Sequence, residues 1–492
     1  MCRRRRWAAA RAPIYSRRGV QASTLPPSVR RYDRDGGGDR VPGVVVVFTA
    51  GAPSAHAISL ATGPVELGRG EVGTGKIEDG RVSRRHVRVA LEAGRCVATD
   101  LGSQNGSFVD GEPIAAGVAA PVDRVIRIGD SLVVPCGDVR PFRRAAVCSV
   151  DGLVRGPAML AVIEEAVRAA QTGTTLHVRG ESGSGKEGVV QAFHRALGDP
   201  SRPLVAVNCA SIPPAIAERL LFGARRGAYS GAEADAPGYL QAADGGTLFL
   251  DEIAELDLQV QAKLLRALES REVLPLGASR PRKLELAFCS ATHRDLRTLV
   301  ATGAVREDLY YRVGRPEVTL PPLRSRPEEI PALIARELAR LPSAPIAHVS
   351  LVEQCLLRPW PGNVRELLAE IRIAAQAAAG DGNRVTAHHL GASAGTVFGD
   401  AAASRPAGTG TAPPAADPPP DPPPDPPPDP PPAAPQRTPL SDVELARRIE
   451  DALRAHAGNV AAAARALGMH RTQLRRLIKR HGIVVPEAPD DE

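Results

Sequence analysis

Seven residues, Gly180-Glu-Ser-Gly-Ser-Gly-Lys186, restrict the folding of this chain more than any other stretch. They follow the β-type segment Thr174-Thr-Leu-His-Val-Arg179 and are placed to open a helix. Glycines in such a turn let backbone N–H groups point at phosphate oxygens, and the closing lysine neutralises phosphate charge. The device works where a strand hands over to a helix, so the surroundings should be α/β. The flanking pattern agrees. Apolar runs Leu204–Val207, Leu248–Leu250 and Leu284–Phe288 alternate with helical stretches such as Leu258–Leu268. This predicts a largely parallel sheet over 150–320, followed by helices over 321–392.

A second element supplies the chemistry. Thr247-Leu-Phe-Leu-Asp251-Glu252 is an apolar strand ending in two acids. Beside a phosphate loop, Asp251 suits placing Mg²⁺ and Glu252 suits orienting the attacking water, so the expected cofactors are ATP and Mg²⁺. Glu187 stands where a Ser or Thr commonly helps hold the metal, which leaves that task to Asp251 and water.

At 492 residues the chain should hold about three domains. The net charge of +7 fits an acidic partner but does not identify one. The seven cysteines include no CxxC pair, which argues against a zinc site or a disulfide framework. No apolar run reaches the roughly 18 residues of a membrane span, and the basic start has no apolar core after it. A cytoplasmic protein with no membrane partner is therefore expected.

Residues 1–40 are Arg-, Gly- and Pro-rich without periodicity and read as disordered, although an over-extended start would look the same. Residues 41–142 carry short apolar runs between Gly-containing turns, as in an all-β sandwich. Within the linker 393–439, residues 417–432 are four copies of Asp-Pro-Pro-Pro. They favour polyproline II and a semi-rigid spacer of about 50 Å. Residues 440–484 read as an all-α helix-turn-helix. Leu474, Leu477 and Ile478 face inward, and Arg471, Thr472, Gln473, Arg475, Arg476 and Lys479 are offered to DNA.

Several blocks together resemble the central AAA+ domain of bacterial sigma-54-dependent activators. They are Gly180 to Glu187, Val207–Ala210, Leu221–Gly223, Gly227–Ala232, Gly245–Glu252, Arg306–Arg312 and Trp360–Leu367. The resemblance implies ATP contacts from Gly180, Glu181, Ser182, Gly183, Ser184, Gly185, Lys186 and Glu187. It implies that Asn208 restrains Glu252, that Thr292 and Arg365 are sensors, and that Arg306 and Arg312 are arginine fingers from a neighbour in a ring, a hexamer in this family. The loop Gly227-Ala228-Tyr229-Ser230-Gly231-Ala232 resembles the one with which these activators grip sigma-54 RNA polymerase. Tyr-Ser replaces the usual Phe-Thr, keeping an aromatic ring and a hydroxyl.

Gly68-Arg69, Ser83-Arg84-Arg85-His86 and Asn105-Gly106-Ser107 resemble a forkhead-associated (FHA) domain. That resemblance implies a phosphothreonine site made by Arg69, Ser83, Arg84 and Asn105, with His86 a buried structural residue. The C-terminal helices look like the Fis-type module of the same activators. The expected whole is an enhancer-DNA-bound ATPase that remodels sigma-54 polymerase under phosphothreonine control. A DNA-binding regulator that binds nucleotide without remodelling, or an AAA+ remodeller of another protein, is the alternative.

Overall fold

The computed structural model describes residues 40–69, 75–144, 147–150, 153–199, 201–229, 233–380, 382–397, 442–456, 460–467, 474, 477 and 478. The expected disordered start, most of the linker including 417–432, and Ser230, Gly231 and Ala232 lie outside the described residues. So do Arg471, Thr472, Gln473, Arg475, Arg476 and Lys479.

Short β-rich runs joined by turns fold as two facing sheets. One has the order β2 (Ala52–Ser59), β1 (Gly43–Thr49), β11 (Ser131–Cys136), β10 (Ile126–Ile128), β7 (Ser107–Val109), β8 (Glu112–Ile114). The other runs β4 (Gly75–Lys76), β3 (Val65–Gly68), β5 (Val87–Glu92), β6 (Arg95–Asp100), β9 (Ala119–Pro121). Between them Val44, Val46, Leu67, Val87, Val89 and Ile126 are buried. In β5 the pattern alternates: Val87 and Val89 point in while Arg88 is exposed, as in a strand with one wet face. In β1 it does not. Val45 and Val47, on the opposite face from Val44 and Val46, are fully buried as well.

Residues 140–320 connect and then build the α/β body. A short helix α1 (Arg140–Arg144) and a hairpin of β12 (Cys148–Val150) and β13 (Leu153–Arg155) lead into α2 (Pro157–Thr172). Five parallel strands follow in the order β15 (Leu204–Asn208), β16 (Thr247–Asp251), β19 (Ala287–Thr292), β14 (Thr175–Arg179), β20 (Glu317–Thr319). The helices here are α3 (Lys186–Ala196), α4 (Pro214–Phe222), α5 (Tyr239–Ala242), α6 (Leu258–Ser270), α7 (Leu296–Ala301) and α8 (Glu307–Val313). A small ribbon, β17 (Glu272–Val273) with β18 (Arg282–Lys283), follows α6. Asp257 caps α6 and Asp295 caps α7, each accepting two backbone N–H bonds.

The lid comprises α9 (Ile330–Ala339), α10 (Val349–Leu357) and α11 (Asn363–Ala377), tied by the strand pair β21 (Ile346–Ala347) and β22 (Arg384–Val385). Trp360 is fully buried and its indole N–H donates to Cys355 O at 2.7 Å. The lid core is continuous with the outer face of the six-stranded sheet. Val45, Val47, Leu132 and Val134 share one apolar cluster with Leu333, Val352 and Leu356. The unpaired face of β1 is thus covered by the lid, which explains its unbroken valine run.

The C-terminal unit, described by itself, contains α12 (Asp442–Ala455) and α13 (Val460–Ala466). Ile449, Leu453, Ala463, Ala464 and Leu474 are buried together, and Leu477 and Ile478 pack partly against them. The three apolar residues expected to face inward do so.

Candidate nucleotide site and partner loops

The C-terminal ends of β14, β16 and β19 lie side by side, which is where open parallel sheets present a crevice. The turn after β14 is the Gly180–Lys186 cradle. Gly183 and Gly185 adopt φ of 72° and 106°, the left-handed region where a side chain is strained. Gly183 is also crowded: a Cβ there would lie 2.3 Å from Gly362 O. Lys186 is nearly buried. Its ammonium donates to Gly180 O at 3.2 Å and to Glu252 Oε1 at 3.1 Å, and lies 3.6 Å from Asp251 Oδ1. The acids at the end of β16 and the lysine of the cradle therefore meet as the sequence implied.

Glu252 has φ of 53°, a sparsely populated conformation for a residue with a side chain. Its Oε2 accepts from His293 Nδ1 at 2.8 Å. Burial pushes this carboxyl upward, but the His293 hydrogen bond and the Lys186 charge outweigh it and hold Glu252 below the usual carboxylate range. Asn208 lines the same cleft, yet its amide oxygen accepts from Ala210 N–H at 3.0 Å. The contacts on Glu252 come from Lys186 and His293. Thr292 is fully buried at the end of β19, where its carbonyl receives the Gly180 N–H at 3.1 Å.

The lid closes one side. Arg365 donates to Ser182 Oγ at 3.0 Å, and Val364 N–H to Gly183 O at 3.1 Å. Asn363 Nδ2 reaches Glu181 Oε2 at 3.0 Å and Ser182 O at 3.1 Å. Arg324 forks onto Glu181 at 2.6 and 2.8 Å. Beneath the loop, Arg326 is buried; it donates to Ser184 O and to Glu329 Oε2, both at 2.6 Å, and Glu329 Oε1 receives Gly156 N–H at 2.6 Å. Burial raises the Glu329 carboxyl, against the pull of Arg326. The cleft is completed by Val154, Met159, Leu333, Arg336 and Leu368. The four apolar side chains among them, beside a phosphate cradle, suit a flat base. Glu187 is exposed in the first turn of α3.

The residues present fit ATP with magnesium. Among the described residues no three His, Cys, Asp or Glu side chains are placed to hold a metal by themselves. Mg²⁺ commonly takes one or two carboxylates together with nucleotide phosphates, and Asp251 is in position to be that carboxylate. The Ser184 hydroxyl, buried in the cradle without a hydrogen-bond partner, is a further polar group there.

Arg306 and Arg312 do not line the cleft of their own chain. Arg306 forks onto Asp308 at 2.7 and 3.0 Å, and Arg312 donates to Leu268 O at 2.9 Å.

The Gly227–Ala232 loop leaves the body between α4 and α5. Its base is closed by reciprocal Ala224–Ala236 backbone bonds and by Arg225 N–H to Leu276 O at 2.9 Å. Asp235 pins it further, pairing with the Arg225 side chain and accepting Arg226 N–H at 2.8 Å. Ala228 touches the turn at Gly277. Tyr229 is 44% exposed, with the Arg219 guanidinium 6.0 Å from its ring centre.

On the sandwich, Gly68 lets β3 approach the 83–84 segment: a Cβ there would meet Arg84 O at 2.1 Å. This brings exposed Arg69 beside Ser83 and Arg84. Ser83 Oγ accepts Gln104 N–H at 3.1 Å, and Asn105 Nδ2 donates to Arg81 O at 2.6 Å. His86 is buried, with Nδ1 accepting Ser83 N–H at 3.0 Å and Nε2 within 3.1 Å of Gly106 O. It holds the two loops together, as a structural histidine should.

Sequence reasoning missed His293, Asn363, Arg324 and the Arg326–Glu329 pair. His293 follows Thr292 directly and Asn363 sits inside the Trp360–Leu367 block, and those neighbours were the available signal. Arg326 and Glu329 occupy a plain charged stretch and carry none.

Three segments of the chain match known protein families. Residues 65–129 match the FHA domain, 153–319 the Sigma-54 interaction domain, and 440–481 the Bacterial regulatory protein, Fis family. Transcriptional regulatory protein GlrR of Escherichia coli is 41% identical over 222 residues, 44% of this chain and 50% of its own length. Nitric oxide reductase transcription regulator NorR1 of Cupriavidus necator is 38% identical over 341 residues, 68% of this chain and 64% of its own. The crystal structure of NtrX from Brucella abortus aligns with 70% of this chain and 71% of its own, at 26% identity and a TM-score of 0.45. The chain thus spans about half the length of the first relative. Among the described residues no helix is long and apolar enough to cross a membrane. The chain thus carries an FHA domain, a Sigma-54 interaction domain and a Fis-family module in that order, and it is similar to bacterial transcriptional regulators.

Proposed function

We propose that this protein hydrolyses ATP in a ring of identical subunits and uses the hydrolysis to remodel sigma-54 RNA polymerase at promoters in the cytoplasm. Lys186 and Arg365 bind the nucleotide phosphates, Asp251 holds Mg²⁺, and Glu252 orients water. Mg²⁺ would supply charge neutralisation for the departing phosphate. Arg306 and Arg312, which do not line their own cleft, act on a neighbour's, which requires a head-to-tail assembly, a hexamer by analogy with the family. The C-terminal module addresses the ring to upstream DNA through Arg471, Thr472, Gln473, Arg475, Arg476 and Lys479. The FHA loops take phosphothreonine through Arg69, Ser83, Arg84 and Asn105.

The observation that carries this reading is a single one. The Gly227–Ala232 loop grows from the same α/β body as the Lys186–Asp251–Glu252 cluster, and its exposed Tyr229 has a pinned base. The residues proposed for nucleotide chemistry and an exposed aromatic side chain thus belong to one α/β body. Open-complex formation with purified sigma-54 polymerase tests it. Ser230→Ala should hydrolyse ATP at the wild-type rate yet fail to open the promoter. Undiminished promoter opening by that variant removes the loop from the mechanism.

A further inference from the structure

One apolar core joins the back of the FHA sheet to the nucleotide cleft. Val45, Val47, Leu132 and Val134 on the back of the FHA sheet are buried among lid residues. Val154 and Leu333 belong to the same core and also line the nucleotide cleft. The FHA sheet is therefore part of the wall that supports the cleft, rather than a body on a tether.

Polar contacts reinforce this at both ends. Arg127 on β10 pairs with Glu353 on α10 at 2.9 Å, with the carboxylate almost fully buried. The same guanidinium stacks 3.6 Å from the Phe108 ring centre on β7, two residues beyond Gly106. Asp79 beside the ligand loop accepts from Asp130 N–H and Ser131 Oγ, both at 2.8 Å, where β11 begins. Arg81 pairs with Asp130 at 3.3 Å, and its carbonyl is held by Asn105. Asn105, a proposed peptide contact, is thus linked through Arg81 to Asp130 beside β11. At the other end, a triphosphate in the cradle competes for Arg365, which bonds Ser182. Arg365 lies on α11, whose Leu367 and Ile371 share the lid core with Val352 and Leu356 of α10.

We infer that the back of the FHA sheet is a permanent docking face for the lid, so that phosphothreonine binding and nucleotide binding are coupled through the Arg127–Glu353 seam. The inference rests on the proposed ligands of the two sites. It deepens that reading by naming the route of regulation: the signal enters through the lid. Coupling between binding sites is reciprocal, so each ligand shifts the affinity of the other by one factor.

The test uses the full chain and two probes, a fluorescent ATP analogue and a phosphothreonine peptide pool with randomised flanks. Each is first titrated alone, then against the protein saturated with the other. The wild type should show about a fivefold or greater reciprocal shift. Arg127→Ala and Glu353→Gln should each bind both probes singly with near-wild-type affinity while the shift collapses. The glutamine variant keeps the side-chain shape and guards against loss of folding in the alanine variant, which a melting curve reports. Equal peptide affinity with and without nucleotide in the wild type overturns the coupling. A shift that survives in both variants overturns the route. Failure of the wild type to bind one probe singly overturns the underlying site assignment and the coupling with it, and the single titrations separate that case from the others.

Discussion

The nucleotide cleft and the FHA loops both gather cations for a phosphate, and they do so in opposite ways. In the cleft the cation is buried and already neutralised: Lys186 is 7% exposed and sits against Asp251 and Glu252. On the sandwich Arg69 and Arg84 are exposed, and backbone proximity at Gly68 does the gathering. A buried cluster in a low-dielectric setting makes each member indispensable. An exposed set works in water and salt, where single charges count for less. Under the proposed function, the buried cleft suits chemistry and the exposed loops suit reversible recognition.

The contrast breaks most easily at Lys186. Lys186→Ala should lose at least about a thousandfold in ATP turnover, because the phosphate charge and both acids lose their counter-charge together. Steady-state phosphate release measures this, and retained turnover would contradict the cleft assignment. Next comes the support of the cradle. Arg326→Met should destabilise the chain by about 3–5 kcal/mol, since it strands the Glu329 charge in the interior. Urea unfolding with nucleotide absent reads it; an unchanged midpoint would mean the pair is not buried in solution. On the open site, Arg69→Ala should cost about 1.5–3 kcal/mol of phosphothreonine-peptide binding, the value of one charge-assisted hydrogen bond. The remaining affinity should fall with salt. Salt-independent binding would show that the loops resemble the cleft more than their exposure suggests.

The smallest effect lies at the seam between the two sites. Burial raises the Glu353 carboxyl above its ordinary value of 4.5, opposed by Arg127. A raised carboxyl contributes stability that is fully present below 4.5 and is lost as pH rises through the raised value. Wild-type melting temperature should therefore fall over that interval relative to Glu353→Gln, which does not titrate. Parallel pH profiles of the two proteins would place Glu353 in solvent.

The layout of the cleft was legible because its parts are local. A glycine turn after a strand, two acids at a strand end and an inserted loop are each contiguous in sequence. The arrangement around Glu252 was less so. The family pattern pointed to Asn208, whereas His293 makes the 2.8 Å contact, because strand order brings the end of β19 beside β16. Glu329 and Gly156 meet across 173 residues of chain, a pairing no local period records. The lid seam did leave a trace. Val44-Val-Val-Val-Phe48 lacks alternation, which marks a strand covered on both faces, but the run does not say what covers it.

That doubly covered strand has a consequence for how such a chain can be cut or recombined. An excised sandwich would carry a greasy back of valines and leucine into water, an invitation to clump. The receptor half and the clamp it rests on must therefore be inherited, expressed and redesigned as a pair.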